Sequence, residues 1–139
     1  MKRLILADTG PLVALLNPRD HYHEWALARF DEFSDPLATC EAVLTETLFL
    51  LSTCPGASAS LMELWQRESI QVDFSAEREK PVLRKLMAKY GDLPMSFADA
   101  CLVRMSELHA TASVWTLDTD FGVYRRNGRQ SIPLCRPAA

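Results

Sequence analysis

The sequence predicts an α/β fold built on a mainly parallel central sheet. Two short apolar runs, Leu4–Leu6 and Ser113–Leu117, have the length and composition of strands that are buried on both faces. Most of the chain between them carries apolar residues at three-to-four spacing, which indicates amphipathic helices. Strands that alternate with helices are typical of parallel sheets, because parallel neighbours need a crossover connection.

Length and composition favour one globular domain over residues 1–139. The chain is 48% apolar and 24% charged. It contains no apolar run of the roughly 18 residues that a membrane helix needs. No cleavage motif of a secretory signal follows Met1–Arg3, so the expected location is the cytoplasm. A net charge of −3 argues against a protein that coats nucleic acid nonspecifically.

The four cysteines are scattered and lack the spacing of zinc-binding motifs, so we expect them to be reduced and mostly buried. They are Cys40, Cys54, Cys101 and Cys135.

In the first half of the chain, turn-forming residues separate the predicted elements. Gly10-Pro11 and Asn17-Pro18 bracket a short helix. Asp20 is a favoured N-cap for the helix that follows, and Cys54-Pro55-Gly56 ends a later one. The predicted elements are a strand near Leu4–Leu6, helices Leu12–Asn17 and His21–Phe33, a brief strand Leu37–Ala38, a helix from Thr39 or Cys40 to about Ser52, and a helix Ala57–Gln66.

In the second half, alternation and capping signals define the elements. Ser69–Phe74 alternates polar and apolar residues, as a strand does. Ser96 and Asp99 have the spacing of a capping box, which predicts the start of a helix. The predicted elements are a strand Ser69–Phe74, a helix Ala76–Tyr90 with Pro81 in its first turns, a helix from Ser96 to about His109, a strand Ser113–Leu117 and a last strand Ile132–Cys135.

Four acidic residues stand where the predicted fold would bring them together. Asp8 and Asp118 follow the two clearest strands, whose carboxyl ends meet at one edge of a parallel sheet. Glu46 lies in an apolar helix, where a carboxylate is costly unless it is paired, bound to metal or open to solvent. Asp99 is in the first turn of the Ser96 helix. Four carboxylates without His or Cys favour a hard cation, Mg²⁺ or Mn²⁺, which suits chemistry on phosphate.

Each of these residues also has a purely structural explanation. Asp8 could form an Asx-type turn that caps the next helix, and Asp99 could serve only the capping box. Asp118 and Asp120 could be ordinary turn residues, and Glu46 could pair with an arginine. The metal-site interpretation is favoured because all four residues fall in the structural contexts that it requires.

Taken with these residues, the chain resembles a PIN domain, most closely the small bacterial kind found in VapC toxins. The motifs that carry the resemblance are LILADTGPLVALLN, TCEAVLTETLFLL, LPMSFADACLV and WTLDTDFGVYRR, in that order. They extend over nearly the whole chain. The resemblance implies a three-layer α/β/α sandwich, Mg²⁺- or Mn²⁺-dependent endoribonuclease activity and, in many members, a partner antitoxin that restrains it.

The resemblance also implies roles for particular residues. Asp8 and Asp99 would be the central metal ligands, and Glu46 and Asp118 would complete the acidic site directly or through water. Asp120 is close enough in sequence to contribute. Supporting hydroxyl groups are expected at Thr9 and Thr116. Arg125, Arg126 and Arg129 could contact the RNA backbone, although a solvated loop is the favoured interpretation of this segment.

Three other functions compete with a nuclease as explanations of these motifs. The Asp8-Thr9-Gly10 sequence matches the motif of aspartic proteases, but these need two such carboxylates in a β-rich setting. Asp118 and Asp120 have the spacing of haloacid-dehalogenase phosphatases, which place that motif after the first strand. A PIN-fold module that binds RNA or protein without cutting is the remaining alternative. Its expected sign is the loss of an acidic ligand, and none is missing here.

The helix pair from Glu41 to Trp65 carries aromatic and leucine residues that could be exposed. Apolar surface of this kind commonly marks interfaces. It predicts self-association as a homodimer or the binding of an antitoxin, with ordinary core packing as the alternative.

Overall fold

Seven short strands form two sheets in the computed structural model, which describes residues 4–138. The strands are β1 Ile5–Ala7, β2 Leu37–Ala38, β3 Ile70–Gln71, β4 Ser113–Trp115, β5 Arg125–Arg126, β6 Gln130–Ser131 and β7 Leu134–Cys135. The main sheet has the order β3-β2-β1-β4-β7, and all of its pairs are parallel. The expectations for Met1–Arg3 lie outside the described residues.

Within residues 4–138, six α-helices connect and flank the sheet. They are α1 Thr9–Leu16, α2 His23–Glu32, α3 Glu41–Leu50, α4 Ala57–Gln66, α5 Ala76–Lys89 and α6 Phe97–Leu108, with a 3-10 turn at Thr119–Gly122. Because crossovers between parallel strands are right-handed, the reversal of direction after β3 puts α5 and α6 on the face opposite α1–α4. The three-layer α/β/α prediction is therefore confirmed. Between residues 4 and 138, no helix is long and apolar enough to cross a membrane.

The direction of strand addition reverses at β1. This strand pairs with β2 on one side and with β4 on the other, with Leu6 opposite both Ala38 and Val114. Open parallel sheets form a crevice beyond the carboxyl ends of their strands at such a reversal. The residues that follow β1 and β4 therefore border the natural ligand position of this fold.

An aromatic cluster fixes α2 on its face of the sheet. Trp115 of β4 is fully buried, and its ring centroid lies 6.2 Å from that of Trp25 and 5.2 Å from that of Phe33. The Phe33 contact is edge-to-face, an arrangement that adds to the gain from burial. Since burying one large apolar side chain contributes about 1.5–3 kcal/mol, this cluster stabilises β4 directly before the site residues.

Several predicted elements are confirmed, with shorter strands. β2 and α4 have the predicted bounds, and α6 begins after Ser96 with a complete capping box. Pro81 lies inside α5, as its position in the sequence required. β3 and β4 are shorter than Ser69–Phe74 and Ser113–Leu117. All four cysteines are free; Cys40 and Cys101 are buried, while Cys54 and Cys135 are half-buried.

The predicted starts of the first two helices are wrong. α1 begins at Thr9 and not at Leu12, because the Asp8 side chain accepts the Thr9 N–H and acts as its N-cap. Asp20 does not cap α2, which begins after Tyr22. Its carboxylate instead accepts the Tyr22 N–H and stabilises the turn that precedes the helix.

The hairpin of β5 and β6 was not predicted from the sequence. Arg126 pairs with Gln130 across a three-residue turn in which Asn127 and Gly128 have φ of 53° and 81°. Asparagine and glycine are the residues that tolerate positive φ, and an Asn-Gly pair is a strong hairpin signal. The signal was therefore present in the sequence, although this segment was expected to be a solvated loop.

Candidate active site

One cleft lies at the carboxyl ends of β1 and β4, at the reversal of the sheet. It has a volume of about 390 Å³ and brings the four predicted carboxylates to one place. Its lining residues are Asp8, Thr9, Gly10, Glu46, Pro94, Ser96, Asp99, Leu117 and Asp118. A Cβ atom at Gly10 would lie 3.3 Å from the Leu117 side chain, so glycine lets α1 begin close to the loop after β4. Asp120 is not part of this lining.

Asp8 is the carboxylate at the end of β1, and it is only 6% exposed. Its Oδ1 accepts the Thr9 N–H at 2.8 Å and its Oδ2 accepts the Thr116 hydroxyl at 2.7 Å. Burial raises the pKa of Asp8 to about 6, since desolvation and the charges of Asp99 and Asp118 outweigh the two hydrogen bonds. Asp8 is thus held in place as a carboxylate whose charge is poorly compensated.

Thr116 connects the ends of β1 and β4. Its hydroxyl donates to Asp8 and accepts the Asp118 N–H at 2.9 Å. Asp118 caps the 3-10 turn through an Oδ1 contact of 2.8 Å with the Asp120 N–H. The turn-residue interpretation of Asp118 therefore holds together with its position in the cleft.

Glu46 approaches the cleft from α3. The Thr9 hydroxyl donates to its Oε1 at 2.9 Å, and the carboxylate is half-buried. A pairing with arginine, the structural alternative for this residue, is not found among the described residues. Thr9 and Thr116 therefore each hold one of the cleft carboxylates through a hydroxyl group.

Asp99 serves two purposes in the first turn of α6. Its N–H donates to the Ser96 hydroxyl at 3.0 Å and its Oδ2 accepts the Ser96 N–H at 3.3 Å, which completes the capping box. The same carboxylate is 7% exposed and lines the cleft. Burial raises the pKa of Asp99, although a hydrogen bond from Tyr124 opposes that effect.

Tyr124 is the site residue that sequence reasoning missed. Its hydroxyl donates to Asp99 Oδ2 at 2.9 Å, and its side chain is fully buried. Burial and the adjacent charge of Asp99 raise the pKa of Tyr124 above its ordinary value, so the hydroxyl remains a donor. Its position three residues after Phe121 of the late motif was the available signal, but nothing in the sequence pointed that side chain at α6.

Three of the carboxylates share one pattern of hydrogen bonding. In Glu46, Asp99 and Asp118, one oxygen accepts a protein donor and the other accepts none from the described residues. Oxygen-only donors of this kind suit Mg²⁺ or Mn²⁺. The donor atoms suit such a cation, but the side chains do not form a complete coordination shell. Within residues 4–138, no three acidic, His or Cys side chains are close enough to hold an ion as they stand. Mutual repulsion of the charges favours that separation.

The three arginines of the late segment differ in their contacts. Arg125 donates to the carbonyl groups of its own turn, from Gly122 to Tyr124. Arg126 donates to the carbonyl groups of Ser106 and Ala110 at the end of α6. Arg129 is exposed and has no side-chain partner among the described residues. These contacts favour a structural role for the first two.

Comparisons with known proteins agree with the architecture. A family model described as PIN domain matches residues 5–127. The fold is similar to that of Mycobacterium tuberculosis VapC20, described as a sarcin-ricin loop cleaving toxin, with a TM-score of 0.75 and 22% identity over 86% of this chain and 93% of that one. At that identity the likeness establishes the fold alone. No curated protein sequence gives a match.

Proposed function

Because the chain belongs to the PIN-domain family, whose model matches residues 5–127, we propose that it is a metal-dependent endoribonuclease of the VapC type. The observation that carries the proposal is the meeting of all four acidic residues in one cleft at the reversal of the sheet. The likeness to a toxin that cleaves RNA supports it. The reaction is hydrolysis of an RNA phosphodiester bond, with Mg²⁺ or Mn²⁺ as cofactor.

The proposal gives each carboxylate a task. A bound divalent cation would polarise the scissile phosphate and lower the pKa of a coordinated water. Asp8 and Asp99, the two buried carboxylates, would hold the cation, and the unpaired oxygen of Asp99 is available to it. Glu46 and Asp118 each keep one oxygen with which to orient the attacking water or to complete the ligand shell. Asp120 would contribute only after moving toward the cleft.

RNA would be held chiefly through its phosphates. Arg129 is the best candidate among the three predicted arginines, because its guanidinium is exposed and not engaged by the described residues. Arg125 and Arg126 would have to release carbonyl groups before they could bind phosphate. Phosphate contacts position a substrate without reading its sequence.

We further propose that α3 and α4 form a surface for a second copy of the chain or for an antitoxin. Four large apolar side chains of these helices are exposed: Phe49 at 77%, Leu50 at 56%, Met62 at 46% and Trp65 at 37%. Exposed apolar side chains of this size commonly mark an interface where they lie together. Sedimentation at high concentration tests the homodimer, and a strict monomer both before and after Phe49→Glu would contradict it.

The single domain over residues 1–139 and the cytoplasmic location remain predictions.

The proposed site is tested first by its affinity for metal. Calorimetric titration of Mn²⁺ is expected to show binding to the wild-type protein and at least tenfold weaker binding to Asp99→Asn, since a buried ligand is lost. The matched control is Asp73→Asn, which removes an exposed aspartate outside the cleft and should bind as wild type does. Absence of binding to wild type, or equal binding by all three proteins, would reject the metal site.

Activity is the second test. Asp8→Asn and Asp99→Asn are expected to abolish Mn²⁺-dependent cleavage of RNA while circular dichroism shows that the fold survives. Full cleavage by either variant would contradict the nuclease. Metal binding without cleavage of any RNA offered would favour the alternative, a catalytically silent PIN-fold module.

A further inference from the structure

Tyr124 occupies a position between the proposed site and the core. It follows the 3-10 turn that Asp118 caps, and its N–H donates to the Asp120 carbonyl at 3.1 Å. One loop after β4 therefore supplies both the Asp118 carboxylate and the hydroxyl that contacts Asp99 on α6. Two of the four carboxylates depend on the conformation of this loop.

Edge-to-face contacts with two aromatic rings limit the movement of the Tyr124 ring. Its centroid lies 5.1 Å from that of Tyr90 and 5.2 Å from that of Phe121, both at steep interplanar angles. Tyr90, at the end of α5, uses its own hydroxyl to accept the Arg125 N–H at 2.9 Å. The ring that carries the Asp99 contact is thus fixed by α5 on one side and by its own loop on the other.

The hairpin that continues the chain is also attached to the helices. Lys89 of α5 donates to the Gly128 carbonyl at 3.2 Å, and the Asn127 N–H donates to Glu107 of α6 at 2.6 Å. These contacts hold the segment after Tyr124 against the same two helices. The position of the Tyr124 hydroxyl relative to α6 is therefore determined from both directions along the chain.

The contact divides the two oxygens of Asp99 between two environments. Oδ2 accepts both Tyr124 and the Ser96 N–H, while Oδ1 accepts no donor from the described residues and belongs to a carboxylate that lines the cleft. A donor on one oxygen fixes the rotation of the carboxylate and so the direction of the other. Hydrogen bonds from outside the ligand shell are known to orient metal-binding carboxylates in this way.

We propose that Tyr124 is a positioning residue, whose hydroxyl turns the free oxygen of Asp99 toward the cation; this inference rests on the proposed function. Tyr124 does not itself contact metal or substrate. The competing explanation is that Tyr124 only fills the core and that its hydroxyl takes the nearest available acceptor. The two explanations differ in what happens when the oxygen atom alone is removed.

The experiment compares two variants of the same group of edge-to-face rings, which consists of Tyr90, Phe121 and Tyr124. Tyr124→Phe removes the hydroxyl on Asp99, and Tyr90→Phe removes a hydroxyl that contacts only backbone. Both keep the buried ring, and both are expected to lower the melting temperature measured in EDTA. Calorimetry with Mn²⁺ should show that Tyr124→Phe binds about 10- to 100-fold more weakly than wild type, while Tyr90→Phe binds within about twofold of it.

Each outcome has a distinct meaning. Weaker binding confined to Tyr124→Phe supports the positioning role. Wild-type affinity for Mn²⁺ in Tyr124→Phe overturns the positioning role. An equal loss of affinity in both variants also overturns it, because that loss would come from weaker packing of the rings. If wild type binds no Mn²⁺, the proposed function itself fails, a result that is distinguishable from the other three.

A second measurement covers the case in which Tyr124→Phe does not fold. Wild-type protein labelled at tyrosine ¹³Cζ is titrated with Mg²⁺, and the signals are assigned with Tyr22→Phe and Tyr90→Phe. We expect the Tyr124 signal to shift when Mg²⁺ binds, because the Asp99 carboxylate that accepts its hydroxyl would share its negative charge with the cation. The Tyr90 signal should not shift. An unmoved Tyr124 signal at saturating Mg²⁺ would overturn the proposal.

Discussion

The buried charge of the Asp8 carboxylate lowers the free energy of unfolding, and this effect is measurable without any substrate. Its pKa is about 6 in the folded protein, against an ordinary value of 3.8. The folded state therefore binds more protons than the unfolded state between these two values, so the free energy of unfolding falls as pH rises through this window. The contribution of protonated Asp8 to the free energy of unfolding is complete below the unfolded pKa of 3.8 and is lost once the pH exceeds about 6.

We accordingly expect the metal-free protein to lose up to about 3 kcal/mol of stability between pH 4 and pH 7 through Asp8 alone, since a tenfold shift in proton affinity corresponds to about 1.4 kcal/mol. Urea unfolding in EDTA at several pH values measures this. In Asp8→Asn the decline should be much smaller, and at pH 7 the variant should be more stable than wild type. An identical pH profile for the two proteins would show that Asp8 is not destabilised by its charge.

At the scale of the element, the start of α6 combines a capping box with a position in the cleft. The sequence posed capping and metal binding as alternatives for Asp99, and the structure shows that the capping box and the cleft position coexist. They are compatible because the cap uses the Asp99 N–H and Oδ2, which leaves Oδ1 unengaged. The spacing of Ser96 and Asp99 was sufficient to predict the cap. The contribution of Tyr124 was not predictable, because it comes from a loop 25 residues away.

Removal of the cap should weaken α6 by a known amount. Ser96→Ala takes away the acceptor for the Asp99 N–H, so we expect a loss of about 1 kcal/mol in the free energy of unfolding. Ser60→Ala is the matched control, because Ser60 is an exposed residue of α4, where alanine is the better helix former. Chemical denaturation of both variants checks the difference, and equal stability would mean that Ser96 contributes no cap energy.

The hairpin of β5 and β6 gives a second prediction at this scale. Arg126 donates to the carbonyl group of Ser106 in the last turn of α6 and to that of Ala110, two residues beyond the helix, and a cation at this end interacts favourably with the helix dipole. Arg126→Ala should therefore cost about 1–2 kcal/mol, whereas the exposed Arg129→Ala should change stability by less than about 0.5 kcal/mol. The effects on RNA affinity should have the opposite order. Arg129→Ala should weaken RNA binding and make the RNA affinity less dependent on salt concentration, whereas Arg126→Ala should change it little. A stable Arg126→Ala protein with impaired RNA binding would restore Arg126 to the substrate surface.

At the scale of the whole molecule, the order of the sheet creates the cleft. Asp8 and Asp118 are 110 positions apart in sequence but follow neighbouring strands, since β1 pairs with both β2 and β4. α3 and α6 then bring Glu46 and Asp99 from two different layers. A cation bound at this point would join elements from the entire chain, so its effect should appear in global stability.

Mn²⁺ at about 100 times its dissociation constant should stabilise the folded state by about 2.7 kcal/mol, which corresponds to a rise in melting temperature of roughly 9 °C for a chain of this length. Thermal unfolding with and without Mn²⁺ at pH 7.5 measures the shift, and Asp99→Asn should show little of it. The shift should be smaller at pH 5, where Asp8 is mostly protonated. A shift equally large in the variant would indicate binding elsewhere.

The sequence by itself determined the α/β class, most of the helices and which four acidic residues line one cleft. Those features depend on local signals: apolar runs, helical periodicity, and turn or cap residues at fixed spacing. Two of the errors, at Asp20 and in the hairpin, arose because one local signal fits more than one structure. An aspartate can stabilise a turn as well as a helix cap, and an Asn-Gly turn can join strands that are not apolar.

Only the tertiary structure decided how the carboxylates are held. The partners of Asp8, Glu46 and Asp99 are the hydroxyl groups of Thr116, Thr9 and Tyr124, at separations of 108, 37 and 25 residues. Such contacts depend on strand order and on the packing of α3 and α6, which no local pattern encodes. The same packing engages Arg126 with the end of α6 and leaves Arg129 exposed, a difference that two neighbouring arginines cannot reveal in sequence.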